Sequence, residues 1–442
     1  MMNMIQFCKD VLQALKLTTF ENEQHLSSLL HMLTTPPMYT TLRFNSQKTQ
    51  PEQAVEKIAV LLNEQSQLSQ RKPYDIFLHP KLCDCIVIKN RGPFDVAKTD
   101  KEIIVDLACG MAILRGAHVY KNGIMGILHN TRAGDLVSVY ADLDGKCLKG
   151  RASVYDGQKL HVGNGVSQVA RSDVCNVNTS HSGIGILMTQ PIFEAPSLAD
   201  ILQEEIFAQN LPSIVCVHVL DPQEGETILD MCAAPGGKTT HIATLMKNRG
   251  RIVALEKSKE RTKKMEKLKT ENMEIYPFDS TNAVSADADP MGGPPYPPCT
   301  FDRILVDAPC SALGQRPSYM NKLTLNQLKS FPVIQHKLLM TAVKLLKPGG
   351  VLVYSTCTIT REENEDQVCN LLKACPDLDL VATPYKIGGD GLPGCGLSEE
   401  QRSMVQRFDP SFLSTSDQDK YNVDTIGFFI AKFKKNKDAG VS

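Results

Sequence analysis

Asp230-Met231-Cys232-Ala233-Ala234-Pro235-Gly236-Gly237-Lys238-Thr239-Thr240 is a glycine-bearing turn between an apolar run, Thr227–Ala233, and a helix that opens near Lys238. The same alternation repeats from Gln223 onward. Arg251–Leu255 reads as a second strand followed by the helical Lys257–Lys269, Met273–Phe278 as a third strand, and Phe301–Val306 as a fourth. A long helix, Leu325–Leu346, leads through Pro348-Gly349-Gly350 into a fifth, Val351–Ser355, and Ile426–Phe433 reads as the last. Such βαβ alternation calls for an α/β fold: a parallel sheet with helices on both faces. The Pro- and Gly-rich Ala286–Cys299 is expected to be a surface loop.

Upstream the pattern changes twice. Residues 1–101 read as an α+β module. It opens with a short amphipathic helix, turns at Pro36-Pro37 into a strand ending near Asn45, continues through a helix from Pro51 to about Leu68, and closes with a strand pair over Ile76–Ile88. Residues 102–193 carry short β-like runs between glycine turns: Met111–Leu114, Gly123–Leu128, Asp135–Tyr140, Leu160–Val162 and Gly183–Met188. Few helical patterns interrupt them, which argues for a small β-barrel inserted in the chain. Helical periodicity returns at Ser197–Gln209, so 194–222 is read as a connecting segment that completes the first module. The α/β domain then spans 223–436, and 437–442 is a frayed tail.

The 442 residues suggest roughly two to four domains. With 42% hydrophobic and 22% charged residues, a mostly disordered chain is excluded. Lys+Arg total 48 against 49 Asp+Glu, which excludes a uniformly basic coat and leaves room for a local basic cleft. No apolar run reaches about 18 residues, so neither a membrane span nor a membrane partner is expected. Lys9 and Asp10 interrupt the apolar pattern at the start, against a signal peptide. A reducing, cytoplasmic setting with free thiols is the expectation for the 14 cysteines. Cys83 and Cys85 are their only close pair, and with no CxxC a metal site is not expected. A monomer is expected.

The turn at 230–240 admits two readings. A phosphate loop, with Asp307 as the metal-holding acid, fits Gly237-Lys238-Thr239. Cys232 replaces its first glycine, however, and Pro235 removes an amide donor from the cradle. The preferred reading is a nucleoside site, in which Gly236 and Gly237 let the backbone approach a ligand closely. Glu256, ending the second strand, then accepts from ribose hydroxyls, and Asp279, ending the third, accepts from an adenine amine.

Asp307-Ala308-Pro309-Cys310 ends the fourth strand and Ser355-Thr356-Cys357 the fifth. If these strands are neighbours, about 4.8 Å apart, both thiols face one pocket beside the cofactor. A lone buried cysteine is usually a small hydrophobe. Two at matching strand ends beside an acid point to chemistry. Carbon 5 of cytosine is too weak a nucleophile to take a methyl group. A thiolate adding to carbon 6 makes carbon 5 enamine-like, and a sulfonium cofactor supplies the methyl. Asp307 is placed to assist at ring nitrogen 3, and Lys238 is a cation that favours the thiolate. The second thiol is left for the stage at which the carbon 5 proton leaves and the first thiol is expelled.

These residues carry a resemblance. CAAPGGKTTHIA at 232–243, FDRILVDAPCSALGQRP at 301–317, LLKPGGVLVYSTCTIT at 345–360, QRFDP at 406–410 and IGFFIAKF at 426–433, with the Pro36–Asn45 segment, resemble the Nop/Sun-domain RNA (cytosine-5) methyltransferases over essentially the whole chain. The resemblance implies a Rossmann-like domain that binds S-adenosylmethionine through Cys232, Ala233, Ala234, Pro235, Gly236, Gly237, Lys238, Glu256, Arg261, Asp279 and Asp307. It implies Cys357 as the nucleophile, Cys310 as the group aiding product release, and Asp307 and Lys238 as further catalytic residues. ILRGAHVYKNGI at 113–124, AGDLVSVY at 133–140 and VGNG at 162–165 look like a PUA domain. That combination is similar to the PUA-containing branch of the family, and implies a tRNA engaged at its acceptor end and CCA, with cytosine 72 as target and messenger RNA hairpins as further substrates.

Two departures stand out. Glu256 occupies a position where the family usually has Asp, and Ala312 one where Gly is frequent, so that loop is expected to be stiffer. In the barrel, Arg115, Tyr120, Lys149 and Lys159 are the candidates for stacking and phosphate contacts with a single-stranded end. The basic run from Lys257 to Lys269 reads as a solvated helix face. Gly293-Pro294-Pro295-Tyr296 imitates an adenine-amine methyltransferase motif but stands before the fourth strand and reads as loop. His118, His161 and His241 read as isolated structural histidines. The competing functions are a non-catalytic RNA-binding scaffold, opposed by the two thiols with Asp307 and Lys238, and a P-loop nucleotide hydrolase, opposed by Cys232 and Pro235.

Overall fold

Three sheets carry the named strands of the computed structural model, which describes residues 5–20, 22–68, 72–175, 183–198, 205–412 and 419–437. The largest sheet is ordered Met273–Pro277, Arg251–Glu256, Thr227–Asp230, Phe301–Asp307, Leu346–Thr356, Phe428–Lys435 and Leu378–Leu380, with Gln406–Phe408 also paired to Phe428–Lys435. The first five strands run parallel; Phe428–Lys435 runs antiparallel to them, and Leu378–Leu380 and Gln406–Phe408 each pair antiparallel with it. Chain order reverses between Thr227–Asp230 and Phe301–Asp307, so connections diverge to opposite faces there and open a crevice at the strand C-termini. The central strands are almost wholly apolar and buried, as a sheet covered on both faces requires.

Helices pack on both faces. Leu211–Leu220, capped by Asn210, is buried at every position: its sequence is apolar around the whole circumference apart from Ser213 and His218. It fills the space between the large sheet and Leu82, Cys85 and Val87. Leu325–Leu345 starts in a capping box made by Thr324 and Gln327 and covers the other face.

The N-terminal sheet is ordered Ile206–Ala208, Tyr39–Phe44, Cys85–Lys89, Asp75–Leu78, and the helix Pro51–Leu68 packs on it. The sequence reading of Ser197–Gln209 as helical is corrected here: Ile206–Ala208 is a strand paired with Tyr39–Phe44, and residues 199–204 lie outside the described residues, as do 438–442 of the tail. The early helices Lys9–Ala14 and Glu23–Leu33 share a core with Leu313, Leu328 and Ile359 of the large domain.

Residues 102–191 supply all strands of the third sheet, ordered Val119–Tyr120, Ile184–Pro191, Lys159–Ser167, Leu136–Asp142, Glu102–Val105, Ile124–Ile127. Its two edge strands are joined by the three-residue turn Lys121–Gly123, so the sheet curls around its own apolar core. Met111–Leu114, expected as a β-like run, instead belongs to the helix Leu107–Ile113 and its C-cap. Asp106 starts that helix by accepting from the Cys109 amide, a cap that outweighs the short apolar pattern. No described helix is long and apolar enough to cross a membrane.

Candidate active site

The register of the two central parallel strands sets Asp307 opposite Ser355. Each chain then turns out of the sheet at the same edge, and Cys310 and Cys357 meet with their sulfurs 3.4 Å apart, both unoxidised and partly exposed. The Cys310 thiol donates toward the Cys357 sulfur and draws the Cys357 pKa below that of an ordinary thiol; burial opposes this, and the Gln315 side chain assists. The same bond, with burial, pushes Cys310 well up. Of the two thiols, Cys357 is therefore the one shifted toward the thiolate and Cys310 the one shifted away from it.

Lys238 Nζ donates to Asp307 Oδ2 at 2.7 Å, and the Ser355 hydroxyl donates to Oδ1 at 2.7 Å. Lys238 also lies over the Phe428 ring, 5.3 Å from its centre. Burial alone would lower the Lys238 pKa, but Asp307 and the nearby cysteines more than reverse this and hold it above that of a free lysine.

The turn at 232–238 lies on the same edge. Gly236 caps the helix Gly237–Leu245 at φ +104°, a conformation closed to residues with a Cβ. Asp230 is fully buried under the turn, accepts from the Thr239 hydroxyl at 2.8 Å, and is pushed up to about 7 by burial. Glu256 accepts from the Ser258 amide at 2.8 Å and faces Arg261 at 3.2 Å. Arg261 also donates to the Ala234 carbonyl at 2.6 Å, tying the turn to the second strand end. Asp279 accepts from Thr281 and pairs with Lys257 at 2.9 Å, which lowers its pKa. The structure thus brings Cys232 to Lys238, Glu256, Arg261, Asp279, Asp307, Cys310 and Cys357 to one edge of one sheet.

The barrel candidates do not converge in that way. Arg115 is exposed, donates to the Arg316 carbonyl at 3.4 Å, and lines a cavity of about 460 Å³ beside the N-terminal sheet, with Gln315, Asn90 and Tyr421. Tyr120 is exposed, and Lys149 is exposed with its ammonium 3.4 Å from the Asn122 carbonyl. Lys159 is committed to Glu102 at 2.5 Å and the Tyr155 carbonyl at 2.6 Å, over the Tyr140 ring.

Several residues escaped the sequence reading. Glu363, Asn364 and Glu365 are completely buried beneath Cys357. Asn364 accepts from the Thr356 hydroxyl at 2.5 Å, and Glu365 forms a two-point pair with Arg407, whose Nη1 donates to the Ile359 carbonyl at 2.9 Å. Hydroxyls at Thr356, Thr358 and Thr360, every second residue around the thiol, were the one signal that acceptors had to lie below. Ala312 sits at φ +55°, the left-handed region that favours glycine. His241 is not isolated, as the sequence suggested. With His218 it donates to the two oxygens of buried Asp84, both at 2.7 Å, and among the described residues these three form the one cluster with metal-ligand types in reach of one another. Two imidazole donors on one carboxylate account for the cluster without an ion. Tyr296 of the decoy motif is buried edge-on against Phe301.

Known proteins align with this geometry. The profile of the 16S rRNA methyltransferase RsmB/F family matches residues 217–434. The tRNA (cytosine(72)-C(5))-methyltransferase NSUN6 of Mus musculus is 45% identical over 94% of this chain and 91% of its own length. The Homo sapiens protein of that name is 43% identical over 94% and 92%. The crystal structure of NSun6 from Pyrococcus horikoshii with SFG superposes with a TM-score of 0.76 at 30% identity, covering 98% of this chain and 99% of that one. A thiol pair at adjacent strand ends, the glycine turn beside it and relatives similar over nearly their full length lead to one conclusion: the chain belongs to the RsmB/F, or Nop/Sun, family of S-adenosylmethionine-dependent RNA (cytosine-C5) methyltransferases.

Proposed function

We propose that the chain methylates carbon 5 of cytosine 72 at the acceptor end of tRNA, with Cys357 as the attacking thiol and Cys310 as the thiol that aids its release. The single observation that carries the reading is the 3.4 Å approach of the two sulfurs beside the Lys238–Asp307 pair. S-adenosylmethionine, when bound, supplies the methyl from its sulfonium. The residues present suit it: Gly237 has open space where a Cβ would lie, and Glu256, Asp279 and Asp307 end three strands around the turn. Cys232, Ala233, Ala234, Pro235, Gly236, Gly237 and Lys238 form the backbone side of that site, and Arg261 steadies Glu256 within it.

In this scheme Cys357 enters as thiolate and bonds to carbon 6 of a cytosine that has left its stack, as a terminal, easily frayed pair allows. Asp307, held at both oxygens, is positioned at ring nitrogen 3, and the Lys238 cation paired with it offsets the negative charge that thiolate addition puts on the ring. After methylation the carbon 5 proton passes to the Cys310 sulfur, which has first released its own proton to solvent; the C–H bonding pair re-forms the double bond to carbon 6, and the Cys357 sulfur leaves with the pair of the carbon–sulfur bond. Cys310 is the neighbouring thiol through which this release is assisted.

The domain division we favour is 1–101 with 194–222, an inserted 102–193, and 223–436. The curled sheet of 102–193 is read as a PUA domain that grips the tRNA end through Arg115, Tyr120 and Lys149, with Lys159 in support. A cytoplasmic monomer acting also on messenger RNA hairpins completes the reading. The test is methyl transfer from labelled S-adenosylmethionine to tRNA transcripts bearing cytosine or uridine at position 72. Label is expected on the cytosine transcript alone. Equal labelling of both overturns the assigned position.

A further inference from the structure

Glu363 is completely buried, and the two thiol-bearing turns meet at its carboxylate. On the Cys310 side, Oε2 accepts from the Ser311 amide at 2.9 Å and Oε1 from the Ser311 hydroxyl at 2.5 Å. Gln335 donates one amide nitrogen both to Oε2 and to the Pro309 carbonyl, each at 3.0 Å. On the Cys357 side, the Thr360 hydroxyl donates to Oε1 at 2.9 Å, and the Thr358 hydroxyl lies 3.4 Å from Oε1 and 2.6 Å from the Ser311 hydroxyl. Ser311 follows Cys310 in the chain, and Thr358 follows Cys357.

A carboxylate has only acceptor sites, about four in number. Here they are filled by donors drawn from three separate segments, 311, 335 and 358–360. Bonds to a charged acceptor are shorter and about twice as strong as neutral ones, and each donor here is buried, so unmaking one strands a polar group. No contact in this network reaches a thiol directly. Its geometric effect is on the two residues adjacent to the sulfurs, and so on the sulfur separation. We propose that Glu363 is a positioning residue for methyl transfer: by holding Ser311 from one turn, onto whose hydroxyl Thr358 donates, and Thr360 from the other, it fixes the approach of Cys310 to Cys357. This rests on Cys357 as the attacking thiol.

The consequence falls on the proton that the two sulfurs share. Cys357 is faced by Cys310, Asp307 and Lys238, and Glu363 faces Cys310, where its charge helps keep the proton. Loosening the clamp weakens the bond that lowers Cys357. A residue that merely supports the fold would not move a thiol titration.

The experiment uses the full chain with Glu363→Gln, Gln335→Met, Cys310→Ala and the Glu363→Gln/Cys310→Ala double variant. The pH dependence of Cys357 alkylation by iodoacetamide is followed by mass spectrometry of its peptide, with kcat, KM and S-adenosylmethionine affinity measured alongside. Glu363→Gln is expected to raise the alkylation midpoint by about one pH unit and lower kcat roughly tenfold, with KM and cofactor affinity within about twofold. In the Cys310→Ala background Glu363→Gln should shift the midpoint no further. Gln335→Met, near in volume, should move it in the same direction by less, and carries the test if Glu363→Gln does not fold. An unchanged midpoint in the variants that fold, or an equal shift without Cys310, overturns the proposal. Methyl transfer surviving Cys357→Ala would instead overturn the reading on which it rests, whereas an inactive Cys357→Ala with an unmoved midpoint removes this inference alone.

Discussion

Lys238 Nζ donates to Asp307 Oδ2 at 2.7 Å although 69 residues separate them, and Ser355 holds the other carboxylate oxygen. The acid is thus fixed in direction before any base arrives. Asp307→Asn keeps its shape, removes its charge and leaves Lys238 without its counter-ion. Methyl transfer should fall by roughly 10²-fold or more. Steady-state rates with tRNA check this, and a loss under about threefold would contradict the role given to Asp307.

Asp84 carries His218 and His241 on its two oxygens, and so ties the residues before the strand Cys85–Lys89 to the helices Leu211–Leu220 and Gly237–Leu245. Burial would raise its pKa, yet the two histidines hold it far below the usual carboxylate range. Asp84→Ala strands two buried imidazoles and should destabilise the chain by roughly 3–5 kcal/mol, the cost of breaking a buried pair. Denaturant unfolding measures it. A loss within about 0.5 kcal/mol, typical of a surface change, would show the pair to be dispensable.

Asp230 gives a pH dependence of defined sign. Burial pushes its folded pKa up to about 7 from an ordinary 3.8. Between these values the unfolded chain has released the proton that the folded chain keeps, so this group's contribution to stability falls as pH rises. Asp230→Asn removes that contribution. The stability of the variant relative to the parent should climb with pH across the window, by up to about 1.4 kcal/mol per unit, and level off above it. Melting curves at pH 4 to 8 check the slope, and a difference that does not vary with pH would rule it out.

The sequence disclosed the parallel sheet because its strands are buried on both sides and therefore read as apolar runs punctuated by glycine and proline. Cys310 and Cys357 were legible for the same reason: a strand end is a position the run itself marks. What stayed hidden depends on partners distant in the chain. Glu363 and Glu365 look like solvated charges in a helix-forming stretch, and only folding brings Ser311, Gln335 and Arg407 to them. Met111–Leu114 misled because a short apolar run does not distinguish a strand from a helix end, and the deciding cap, Asp106, lies outside it. Ile206–Ala208 misled because its strand partner lies more than 160 residues earlier.

Two lysines of the curled sheet should separate in RNA binding. Lys159 is neutralised by Glu102, whereas Lys149 is exposed and bonded only weakly to a carbonyl. Lys149→Ala should weaken tRNA binding and reduce its salt slope by about one, as loss of one phosphate contact does. Lys159→Ala should leave the slope nearly unchanged. Affinities at several salt concentrations decide, and the reverse order would place the RNA on the other side of the sheet.

The central claim is that Cys357 bonds to the base and Cys310 helps it leave. The direct measurement is a denaturing gel of parent, Cys357→Ala and Cys310→Ala chains incubated with labelled tRNA and S-adenosylmethionine. Cys310→Ala should accumulate a protein–RNA adduct that survives denaturation, and Cys357→Ala should form none and transfer no methyl group. An adduct that accumulates in Cys357→Ala and not in Cys310→Ala would contradict the account.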